Sequence, residues 1–73
     1  MYNSYEPKSV QMSGSDILFR YRSNDGDSWM LYDPYKNECA CEDEGANCAE
    51  LAECLRRYVW HTCRQSLIEY AEW

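Results

Sequence analysis

Histidine is almost missing from this chain: His61 is the only one among 73 residues. It is the side chain that most often moves protons at neutral pH. The nearest thiol by helical position, Cys54, is seven residues from it, about 10 Å along a helix. A nucleophile and its base need hydrogen-bond reach, so the pair is excluded as a catalytic unit. Also missing are a glycine-rich phosphate loop, a Gly-x-Ser-x-Gly elbow and a His-Glu-x-x-His helix. Asp25-Gly26-Asp27 puts two carboxylates in a loop, without the further ligands a calcium loop needs. No catalytic residue is assigned, and the chain is not expected to be an enzyme.

Positive charge is scarce as well. Seven lysines and arginines stand against 13 acids, a net charge of −6. Phosphate contacts need a concentrated basic surface, and Arg20, Arg22, Arg56, Arg57 and Arg64 make only a small one, so no direct nucleic-acid binding is expected. Met1 to Lys8 show neither the basic start nor the apolar run of a secretory leader. No segment is long and apolar enough to span a bilayer, so no membrane partner and a cytoplasmic location are expected.

Glycine and proline number three and two, and neither occurs after Gly45. That absence predicts one long helix over residues 47–72, about 26 residues and roughly 38 Å. Asn47 followed by Glu50 fits a capping box, and Glu42, Asp43 and Glu44 lie near the positive end of the helix dipole. At 100° per residue, Cys48, Leu51, Ala52, Leu55, Tyr58, Val59, Thr62 and Ser66 form one stripe. Glu50, Glu53, Arg57, His61 and Arg64 lie opposite, with Glu53 and Arg57 spaced for an ion pair. Trp60, Leu67, Ile68 and Ala71 turn away from the stripe, whereas Tyr70 and Trp73 stay nearer to it. Two readings follow: the tail wraps a small core, or Trp60, Leu67, Ile68 and Trp73 form a second apolar face for a partner or a twin subunit.

The strands read by alternation. Residues 8–13 place Val10 and Met12 on one side, and residues 16–22 place Ile17, Phe19 and Tyr21 on one face. Gly14-Ser15 turns between them, residues 23–28 form a loop in which Gly26 permits a positive φ, and Trp29 to Asp33 return as a hairpin arm. After the turn at Asp33-Pro34, residues 38–42 form a short edge strand with Cys39 and Cys41 on one face. The expected fold is α+β: a three- or four-stranded antiparallel meander over residues 8–42 under the C-terminal helix, in a single domain, the helix overhanging the sheet.

Acid is concentrated between Ser23 and Glu53, where nine acidic residues face Lys36 alone and leave −8. Such a patch keeps a protein soluble, or it docks on a basic surface as a nucleic-acid mimic does. Five cysteines, an odd number without a leader, argue against a complete disulfide framework. Cys39, Cys41 and Cys48 with Cys54, His61 or Cys63 would supply four zinc ligands. The close pair is separated by one residue where two to four are usual, so reduced thiols packed as small apolar groups are expected, with no metal and no cofactor.

In size, acidity, aromatic content and lack of a catalytic set the chain resembles, as a class, the small phage and mobile-element proteins that block host defence machinery, anti-CRISPR proteins among them. The resemblance is one of composition and carries no particular residue. It implies a viral inhibitor acting in the host cytoplasm on a larger protein or ribonucleoprotein with a basic surface. Asp25, Asp27, Glu42, Asp43 and Glu44 are the candidate steering residues, and tyrosines or tryptophans the buried anchors. The alternatives are a homodimerisation module on the Trp60 face and a small zinc-stabilised cysteine domain.

Overall fold

The computed structural model describes residues 5–72, and Trp73 of the expected apolar face lies outside them. The chain forms β1 (Glu6–Ser13), β2 (Asp16–Ser23), β3 (Gly26–Asp33), β4 (Glu38–Cys41), α1 (Cys48–Cys63) and α2 (Leu67–Ala71). The strands make a four-stranded antiparallel meander in the order β1-β2-β3-β4, with the helical layer packed on one face. This is the α+β architecture that the alternation predicts.

Register explains which residues point inward. Phe19 lies opposite Val10 and Met30, Ile17 opposite Met12 and Tyr32, and Cys39 and Cys41 pair with Tyr32 and Met30. Ile17, Phe19, Tyr21, Met30 and Tyr32 are buried against Leu51, Ala52, Cys54, Leu55 and Val59 of α1. Side chains two apart share a face of a strand, and residues at three- and four-residue steps share a face of a helix, so the two periods meet in one core. β1 reaches two residues further than the alternation suggests and carries a bulge at Lys8. The predicted loop at 23–28 shrinks to Asn24 and Asp25, because Ser23 pairs with Gly26 and Arg22 with Asp27. Ladder hydrogen bonds need only backbone, so they continue into polar sequence that periodicity cannot flag.

The long helix is where sequence and structure part. Arg64 adopts a left-handed conformation, φ 56° and ψ 38°, and closes α1 by donating its N–H to the Trp60 carbonyl at 2.9 Å. Ser66 then starts α2 with a reciprocal capping box to Glu69. A left-handed non-glycine residue costs about 1–2 kcal/mol. The turn it makes buries Leu67, worth roughly 2 kcal/mol, and Ser66 satisfies the new helix start. Sixteen residues of helix span about 24 Å. Eight-residue strands span about 26 Å, so α1 matches the sheet and the expected overhang is replaced by a fold-back.

The start of α1 also departs from expectation in one bond. Asn47 accepts the Glu50 N–H at 3.1 Å as predicted, but the Asn47 N–H is taken by the Tyr5 hydroxyl at 3.0 Å. Tyr5 stands edge-on to Tyr21, ring centroids 5.3 Å apart, so it ties the residue ahead of β1 to the helix cap. No helix among the described residues is long and apolar enough to cross a membrane.

Candidate functional site

The hairpin geometry gathers the predicted acids. Asp25 sits in the β2–β3 turn, Asp27 is the second residue of β3, and Glu42, Asp43 and Glu44 follow β4 at the same end of the sheet. Glu42 is held there by its N–H to the Trp29 carbonyl at 3.1 Å and by the Ser28 hydroxyl on its carboxylate at 3.1 Å. Asp43 accepts the Gly45 N–H at 2.9 Å, which folds the connection toward α1. Trp29 is 38% exposed beside these acids. Asp27, Trp29 and Glu42 line a shallow cleft of about 220 Å³ that Lys8 and Arg20 also border. Arg22 pairs with Asp27 at 3.6 Å, an exposed contact that offsets only part of the charge.

Beneath this end lies a buried phenol. Among the described residues the Tyr21 hydroxyl makes no well-formed hydrogen bond, and burial first, with Cys41 and Asp43 nearby, raises its pKa. Ser28, its cross-strand neighbour, acts in the opposite direction.

The expected second apolar face is only partly assembled. Trp60 is 51% exposed, Ile68 is half-buried, and Leu67 faces the core. Trp60, Leu67 and Ile68 share an open cleft of about 450 Å³ with Tyr32 and Pro34, bordered by Arg56, Arg57 and His61. Sequence periodicity missed the floor of this cleft, because Tyr32 and Pro34 come from the sheet side. Glu53 reaches Arg56 at 2.9 Å and Arg57 at 3.2 Å, and the hydrogen bonds from both guanidinium groups hold its carboxyl below the usual range.

The cysteines divide. Cys54 is buried in the core, where loss of solvation pushes its thiol up to about 11. Cys63 and His61 are exposed on α1. Cys39, Cys41 and Cys48 come together with all three sulfurs within 4.8 Å of one another, Cys41 and Cys48 at 3.3 Å. Burial, then hydrogen bonding to Cys48, raises Cys39 to about 11 and Cys41 to about 12. The two-residue step of β4 aims both strand thiols at the helical layer, and Cys48 opens α1 opposite them. Of the six residues considered as zinc ligands, the structure unites these three.

No protein-family model, curated protein or solved structure matches this chain.

Proposed function

We propose that this chain is a small non-catalytic binding protein that sets its acidic end against a basic or nucleic-acid-binding surface of a larger protein or ribonucleoprotein, and so inhibits it. The observation that carries the reading is the convergence of two acidic stretches, Asp25 to Asp27 and Glu42 to Glu44, beside the exposed ring of Trp29. Carboxylates at such an edge steer encounter and suppress wrong partners, whereas an aromatic among them supplies apolar contact area. Arg20 and Arg22 on β2 and Arg56 and Arg57 on α1 belong to different layers, which supports a protein partner over a phosphate backbone.

The test is capture at low salt from cells in which the chain occurs, comparing the native chain with Asp25→Lys/Glu42→Lys/Glu44→Lys. A partner held by the native chain, lost by the variant and released by duplex oligonucleotide supports the reading. A partner indifferent to both changes removes it.

Half-exposed Trp60 favours a second reading, a homodimer built on the cleft it shares with Pro34 and Ile68. Native mass decides: a dimer that Trp60→Glu converts to monomer assigns the cleft to self-association, and a monomeric native chain dismisses it.

A further inference from the structure

The three-thiol cluster is independent of the docking surface and goes beyond it. Zinc–sulfur bonds of about 2.3 Å place tetrahedral ligand sulfurs ~3.8 Å apart. Here the closest pair is 3.3 Å apart and all three sulfurs lie within 4.8 Å of one another. Side-chain rotations of about an ångström separate this arrangement from a coordination triangle. We propose that Cys39, Cys41 and Cys48 form a three-thiolate site for a soft divalent cation with zinc-like chemistry, whose fourth position opens to solvent.

Ligand type and charge choose the ion. Sulfur donors alone favour soft metals over calcium or magnesium. Three thiolates leave −1 with a divalent ion and −2 with a monovalent one. The smaller residual charge is the less costly one to hold at a half-buried site. Cys48 is the first residue of α1, so the positive end of a 16-residue helix faces the thiolates and offsets the remaining charge.

Geometry supplies the open position. Cys39 and Cys48 line a cleft of about 270 Å³ with Asn37, Ala52 and Arg56, room for a water or a small exogenous donor. Among the described residues no fourth cysteine, histidine or carboxylate joins the group. The one-residue spacing that argues against a zinc knuckle suits this site, because a strand sends alternate side chains the same way and leaves the third ligand to the helix. Such an ion would fasten the edge strand β4 to the start of α1, in a chain short enough to gain from a staple. Three Cys–SH groups binding M²⁺ give an M(S-Cys)₃⁻ centre and three released protons, with no redox step.

The experiment is a Co²⁺ titration of the reduced full chain, followed by displacement with Zn²⁺. The expected result is saturation at one equivalent, thiolate-to-cobalt charge-transfer absorption, proton release, and a higher melting temperature with zinc. Cys39→Ala, a change at the half-buried sheet edge, should weaken cobalt binding by about 100-fold or more, and exposed Cys63→Ala should leave it unchanged. Circular dichroism confirms that each variant is folded, and the titration of the native chain stands even if Cys48→Ala does not fold. Absence of saturable absorption overturns the proposal, as does equal loss in the Cys63 variant. So does a chain that isolates with a Cys41–Cys48 disulfide and, once reduced, takes up no cobalt.

Discussion

The backbone N–H of Arg64 donates to the carbonyl of Trp60 at 2.9 Å as the last bond of α1, and the left-handed conformation of Arg64 then turns the chain so that Leu67 enters the core. Arg64 holds a φ of 56° that its Cβ disfavours. Arg64→Gly is therefore expected to raise stability by about 1 kcal/mol, read from the urea midpoint at constant slope. A loss of similar size would mean that the arginine side chain contributes more than its backbone strain costs.

Tyr21 offers a second test. Among the described residues its buried hydroxyl makes no well-formed hydrogen bond, a state that costs about 1–3 kcal/mol. Tyr21→Phe removes the oxygen and keeps the ring, which packs on Tyr5 and Phe19. Thermal unfolding should show an equal or higher midpoint for the variant. A clear drop would reveal a water-mediated or Ser28 partner.

Alkali should act on the core through Cys54. Its thiol titrates near 9.0 when unfolded and at about 11 when folded. The folded pKa is raised, so the stability it contributes is fully present below pH 9 and is lost as pH rises through about 11. Cys54→Ala lowers stability at pH 7 by leaving a small cavity, but its stability should fall less steeply between pH 8 and 10.5 than that of the native chain. Parallel curves in that window would show that Cys54 does not titrate differently in the two states.

Much of the fold was legible in the sequence. Ile17, Phe19 and Tyr21 mark β2 by strict alternation, Gly14 and Gly26 take the positive φ their turns require, and Asn47 caps α1. The break at Arg64 carried no glycine or proline to announce it. Its signal was Ser66-Leu67-Ile68-Glu69, a capping box inside an apparently continuous helix. Reading Ser66 as part of the core stripe hid it.

Site residues were less legible, because their association is non-local. Sequence groups Cys39, Cys41 and Cys48 as candidate ligands, but the one-residue spacing argues against a metal; that the three sulfurs meet depends on β4 docking beside the helix start. The acids of the β2–β3 turn join those after β4 through sheet register, which composition does not contain. Alternation places Trp29 on a strand, and its exposure beside Glu42 emerges only from that register.

The measurement that bears most directly on the docking account is the association rate with the captured partner across ionic strength, for the native chain and for Asp25→Lys/Glu42→Lys/Glu44→Lys. Steered encounter predicts that the native rate falls at least about tenfold between low and high salt, and that the variant starts low and changes little. Equal rates and equal salt dependence in the two proteins would contradict the claim that the acidic end makes the contact.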